Sequence, residues 1–266
     1  VTFAAVIMLP TVILNSAYWG QCDSIYTTFI ILTLLYLYRE KYHRAFMFLG
    51  IAFAFKMQTI FIFPFIICFY IYKKQFSIFE LLITVFTFWI SGIGAFVQGR
   101  SLLDPFRIYA NQTGTYQYMH VNFPSFWMFV GNDYEWLKTA AIVMAAGICG
   151  MGLYIIMKRK LDCSRPENFV SIASWFIWTC VLFLPAMHER YAYPLEILLV
   201  ILTCINKDYL KYSSVAILFG LFTYGNYLFS NGGLDKYIVI IYAGCYLHFT
   251  YTILKKNSKA ATVTDK

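Results

Sequence analysis

Apolar residues run in long stretches along this chain, separated by short polar islands. The first stretch, Val1 to Leu14, ends at the island Tyr18-Trp19-Gly20-Gln21-Cys22-Asp23. Others cover 24–38, 45–55, 58–72, 79–97, 138–157, 168–184, a run after Pro194 to Ile205, 212–230 and 237–254. None alternates with period two, so they predict α-helices and not barrel strands.

Three islands decide how this pattern is divided. Residues 45–72 are too long for one ordinary span and carry Lys56 midway, so two helices are predicted to meet at Lys56-Met57-Gln58. Pro185 and Pro194 bracket His188-Glu189-Arg190. A residue before proline disfavours helical backbone, so this stretch predicts a turn. Gln98 to Trp136 is polar and aromatic, and too long for a mere connector. Asn231-Gly232-Gly233 closes the ninth helix, and the polar tail 255–266 is expected to be disordered.

Composition turns the pattern into a class. The chain is 60% hydrophobic and 13% charged, with mean hydropathy +0.63, against about 25% charged in soluble domains. The expectation is all-α: a polytopic transmembrane bundle of about ten segments, forming one domain over 1–254. The first run rises only about 21 Å, short of a ~30 Å hydrocarbon core. With no positive n-region and no cleavage site it is not a signal peptide, and the chain reads as a fragment lacking N-terminal helices.

The net charge of +8 is a topology signal and not a nucleic-acid one. If loops alternate sides, those at 39–44, 73–78, 158–167, 206–211 and the tail hold fifteen of the 21 Lys and Arg. That side is then cytoplasmic, beside anionic lipids, and includes the C-terminus. Asp23, Lys56, the long segment and His188-Glu189-Arg190 fall on the outer face of a multi-pass protein, expected in a bacterial plasma membrane. The seven Cys are scattered through apolar runs and read as buried thiols, not disulfides or metal ligands. No Walker loop, GxGxxG, HExxH or GxSxG is present, which removes ATPases, dinucleotide enzymes, zincins and α/β-hydrolases.

The islands carry the candidate chemistry. Arg190 offers a fork for phosphate, His188 can share the charge, and Glu189 can hold either in place; the plainer reading is an exposed polar loop. Lys56, with Gln58, suits a phosphate leaving group as a point charge, or snorkels to the interface. Asp23 is a base, a metal ligand, or a structural partner of Lys56 or Arg190. Tyr18, Trp19 and Gln21 can stack on and hydrogen-bond a sugar, or form part of an interfacial belt. Arg107 and Arg100 meet anionic headgroups or donor phosphate, or are solvated. Glu196 pairs inward with Arg190 or sits in the interface. Asn111-Gln112-Thr113 matches a glycosylation acceptor. No metal ligands are assigned.

Four motifs in order resemble the GT-C superfamily of polytopic glycosyltransferases that use polyprenyl-phosphate sugars. Tyr18 to Asp23 is similar to the WGQ-D segment of bacterial membrane proteins related to the second GPI mannosyltransferase. Phe53 to Gln58, with Pro64, is similar to their FK-Q-P segment, and to the KQM stretch of the glucosyltransferases that build the asparagine-linked oligosaccharide. Met187 to Tyr191, with Pro194, resembles the HE-basic motif of both groups. Asn122 to Trp127 resembles their aromatic segment.

The resemblance implies inverting hexosyl transfer, mannosyltransferase-like, from a polyprenyl-phosphate donor to a glycan, lipid or protein acceptor at the outer face. No cofactor is required, and a divalent cation is left open. Family members carry the catalytic carboxylate in the first outer loop, which would lie before Val1. Asp23 is therefore not promoted to that base. Two rivals remain: a transporter or flippase of a lipid-linked saccharide, for which the halves show no internal repeat, and a non-catalytic membrane scaffold.

Overall fold

Leu9 precedes Pro10 and takes extended backbone, φ −65° and ψ 130°, as the proline ring requires. The predicted first helix is therefore split in this computed structural model. It describes residues 2–112, 114–229 and 236–264, with side chains as far as Lys256. Asn231-Gly232-Gly233, and Thr113 of the glycosylation triplet, lie outside the described residues.

Helix α1 (Thr2–Ile7) is followed by α2 (Pro10–Val12), which widens into a π-helical turn, Ile13–Tyr18. That turn carries the buried Asn15. Gly20, at φ 68°, then reverses the chain into α3 (Asp23–Tyr38), a conformation that a residue without Cβ adopts freely.

Helices α4 (Tyr42–Phe55) and α5 (Phe63–Lys73) are separated where the sequence predicts. Lys56 is extended, φ −159° and ψ 133°, and a 3-10 turn, Met57–Ile62, follows. The single helix expected over 79–97 is instead two, α6 (Glu80–Ile90) and α7 (Ile93–Val97). Ser91 and Gly92 interrupt it. The Ser91 hydroxyl donates to the Thr87 carbonyl at 2.7 Å, competing with the backbone ladder.

Inside the long segment lie α8 (Asp104–Gln112), the strand β1 (His120–Val121) and a 3-10 turn, Phe126–Phe129. Helix α9 (Tyr134–Arg159) opens on Asp133, whose carboxylate accepts from the Trp136 amide at 3.3 Å. Next come α10 (Pro166–Phe183), the strand β2 (Met187–His188), α11 (Tyr193–Ile205), α12 (Leu210–Phe229) and α13 (Lys236–Thr264). The last helix runs on to Thr264, through most of the tail expected to be disordered from Lys255. Neither Gly nor Pro interrupts Lys255 to Thr264, and the Lys and Ala there favour continued helix.

The all-α class is thus observed: thirteen α-helices and one two-residue strand pair among the described residues. Tyr134–Arg159 and Lys236–Lys256 are long and apolar enough to cross a membrane. Five further apolar segments, including α3, α4, α6 and α11, have 10–17 residues. Helix α10 is the hub of the core, buried along most of its length, from Phe169 to Leu182. The outer faces of the peripheral helices are apolar: Ile142, Val143 and Met151 on α9, and Ile240, Ile241 and Leu247 on α13, are all exposed.

Side-chain contacts sort the turns into two ends. At one end the Tyr38 hydroxyl donates to the Ser164 carbonyl (2.6 Å) and Tyr72 to the Leu161 carbonyl (2.8 Å). There too His43 meets Glu80 at 2.7 Å, and Glu167 accepts from Asn206 and Lys256 at 3.1 and 3.0 Å. At the other end the Trp127 indole donates to the Phe183 carbonyl at 2.7 Å, and the Ala186 amide to the Met119 carbonyl at 3.0 Å. Asp23, Lys56 and Arg190 belong to this second end.

Candidate functional site

The site is assembled by three irregular backbones. Asp23 opens α3, its carboxylate at the positive end of the helix dipole. Lys56 occupies the extended link after α4. His188-Glu189-Arg190 is held by a parallel strand pair, with His120 opposite Met187 and Val121 opposite His188. Ala186 enters that pair in the left-handed region, φ 58°, a conformation costing about 1–2 kcal/mol for a residue with Cβ.

These elements bring the three islands onto one carboxylate. The Lys56 ammonium contacts Asp23 Oδ1 directly. Asn15 Nδ2 donates to Asp23 Oδ2 at 2.9 Å and reaches the Tyr224 hydroxyl at 3.3 Å. Arg190 Nε lies 3.9 Å from Asp23 Oδ2, while its Nη1 donates to Glu189 Oε1 at 2.5 Å. His188 Nδ1 is 3.8 Å from Glu189 Oε2. Thr223 donates to the Glu189 carbonyl at 3.0 Å, fixing the turn against α12.

Aromatic rings wall the cluster. The Arg190 guanidinium sits 5.0 Å from the Trp19 ring centre, and the Lys56 ammonium 5.5 Å from that of Tyr26. Trp19 packs on Tyr224 and Tyr227. The rings of Tyr116 and Tyr191 lie 4.4 and 5.0 Å from His188. Gln58 lines a pocket with Tyr116 and Tyr191; burial pushes the Tyr191 phenol up to about 12, so it stays protonated.

Charge and exposure are layered. The side chains of Asp23 and Glu189 are 0% exposed, those of Lys56 and Arg190 13% and 21%. Two anions lie beneath two cations that reach the rim. Burial works against the Arg190 charge, but Glu189 and Asp23 outweigh it and hold the guanidinium above its usual value. Arg190 Nε and His188 Nε2 are buried and make no hydrogen bond among the described residues. Unspent donors beside a partly exposed cation are what an anionic ligand would use.

Asp23, Lys56, Gln58, His188, Glu189, Arg190 and Trp19 are thus assembled, and three predicted residues are not. Tyr18 is 65% exposed and packs on Phe229. Gln21 contributes its backbone amide, donating to the Asn15 carbonyl at 3.0 Å. Arg107 lies on α8, 3.7 Å from Asp104, and lines a separate cleft of about 640 Å³ with Arg100. Glu196 does not pair with Arg190. It is buried on α11 against Gly220.

The residues that sequence reasoning missed are Asn15, Thr223 and Tyr224. Asn15 carried a signal, an amide closing an apolar run; Thr223 and Tyr224 lie unmarked in another run. Among the described residues, no three His, Cys, Asp or Glu side chains are grouped to hold a metal ion. No protein-family model, no curated protein and no solved structure matches this chain, so the family likeness rests on its motif residues alone.

Proposed function

We propose that the chain is the helical body of a multi-pass membrane hexosyltransferase, moving a sugar from a polyprenyl-phosphate donor to an acceptor at the outer face. One observation carries the reading: Lys56 and Arg190, far apart in sequence, rise from one buried carboxylate and keep partly exposed faces at the rim. Beside them, the buried Arg190 Nε and His188 Nε2 have no hydrogen-bond partner among the described residues.

In the proposed step the acceptor oxygen forms a bond to the anomeric carbon as the carbon–oxygen bond to phosphate breaks. The configuration inverts, and the acceptor proton goes to a general base. The leaving polyprenyl phosphate gains negative charge, which Lys56, Arg190 and His188 stabilise from fixed positions. Asp23 and Glu189 are counter-ions here. They keep two cations buried near an apolar bundle before the donor arrives, at a cost that unpaired charges would make prohibitive. Trp19 and Tyr116 offer faces to the sugar.

The membrane setting is part of the proposal. Two span-length helices, apolar outer faces on the others, and turns sorted to two ends suit a bundle crossing a bilayer several times. The end holding 39–44, 73–78 and 158–167 carries most of the basic residues, which makes it cytoplasmic.

The equal number of Asp or Glu and of Lys or Arg in the cluster favours a second reading, a self-satisfied ion network in a non-catalytic scaffold. Offering purified protein a panel of polyprenyl-phosphate hexoses, with product analysis for transferred sugar, separates the two. Transfer from any donor, lost in Lys56→Ala, supports the enzyme; no transfer from the whole panel favours the scaffold.

A further inference from the structure

The opposite end of the bundle holds a second charged feature that the proposed sugar transfer does not use. A cleft of about 790 Å³ opens between the start of α12 and the stretch 248–256 of α13. Lys207, Lys211, Lys255 and Lys256 line it, with His248 and Tyr251.

The four ammonium groups are not equivalent. Lys256 is pinned on the inner side, 3.0 Å from Glu167 and 3.1 Å from Asp208, over the Tyr209 ring. Lys207, Lys211 and Lys255 meet no carboxylate within ion-pair distance among the described residues. Lys211 leans on Tyr212 and Lys255 on Tyr251, which orients both without neutralising them. Ser214 adds a hydroxyl donor to the lining, whereas the Thr252 hydroxyl is engaged by the His248 carbonyl at 2.9 Å and by Tyr212 at 2.6 Å.

The helix faces that carry these lysines turn apolar further into the bundle. Leu218 is two turns beyond Lys211, and Leu247 two turns before Lys255; both are about two-thirds exposed, at 66% and 65%. Basic heads above an exposed apolar stripe match the boundary between headgroups and hydrocarbon.

We propose that this cleft binds a phosphate group, in the form of the headgroup of an anionic phospholipid. The three lysines without a carboxylate partner supply charge, Ser214 supplies a neutral donor, and Lys256 with its two carboxylates forms the back wall. The site is separate from the Asp23 cluster and stands whether or not that cluster transfers sugar.

The test uses the full chain in zwitterionic detergent, with the melting temperature followed during titration. The probes are phosphatidylglycerol, phosphatidylcholine and inorganic phosphate. Ligand binding to the folded state raises the melting temperature by mass action. Phosphatidylglycerol is expected to give a saturable rise and phosphatidylcholine none. The triple variant Lys207→Gln, Lys211→Gln, Lys255→Gln should need more than about tenfold more phosphatidylglycerol for the same rise, and the matching Lys→Arg triple should not. An equal rise with inorganic phosphate supports the phosphate site and assigns it to the free ion. No saturable rise in the wild type, or an unchanged response in the Gln triple, overturns the proposal. An equal loss from Lys41→Gln, Lys158→Gln, Lys160→Gln, outside the cleft, also overturns it.

Discussion

The Lys56 ammonium touches the buried carboxylate of Asp23, thirty-three residues earlier in the chain. The contact closes α3 against α4 at the end where the helix breaks. Burying either charge alone is costly, so each residue is tolerated because of the other.

A double-mutant cycle at this pair reads that dependence. Asp23→Ala and Lys56→Met are each expected to destabilise the protein by about 3–5 kcal/mol, since each strands a buried partner charge. The double variant should lose clearly less than the sum. Denaturation in detergent micelles measures it; additive losses would show that the contact contributes nothing to the fold.

Gly220 is the second sensitive point. A Cβ built there would overlap Glu196 Oε1 and lie 2.9 Å from its Cδ. Both residues sit inside the bundle, so the carboxyl has little room to withdraw. Gly220→Ala is expected to cost about 1–3 kcal/mol through overpacking, and Glu196→Ala in the same chain should recover part of it. Melting curves of the three variants check this.

Much of the architecture could be read from the chain, and the reasons are local. Lys56 in an apolar run announces a break because a charge within hydrocarbon is costly. Pro185 and Pro194 announce a turn because of backbone sterics. What stayed hidden depends on tertiary pairing. The strand pair joining His120–Val121 to Met187–His188 spans only two residues each, too short for any periodic signal. Tyr224 and Thr223 join the cluster from a mostly apolar helix, with no charged neighbour to mark them. Arg107 was grouped with the site by charge type alone, and α8 carries it to another cleft.

The turn between α9 and α10 supplies a pH prediction. Asp162 accepts from the Ser164 hydroxyl at 2.5 Å and from its amide at 2.8 Å, and these bonds hold its carboxyl below the usual carboxylate value. A lowered folded-state value contributes stability above the unfolded value of about 3.9 that is lost as pH falls through the folded one. The wild type should therefore lose a small increment of melting temperature below about pH 4, and Ser164→Ala should shrink that loss. An identical acid limb in both proteins would contradict the assignment.

The most direct test of the central claim is sugar transfer by Arg190 variants. Membranes holding the full-length protein are supplied with the donor that the wild type accepts, and product is counted against folded protein. The account predicts that Arg190→Ala loses more than about a hundredfold in turnover, as removal of one transition-state charge partner does. Arg190→Lys should keep part of it, because a point charge remains without the fork. Wild-type transfer by folded Arg190→Ala would contradict the account.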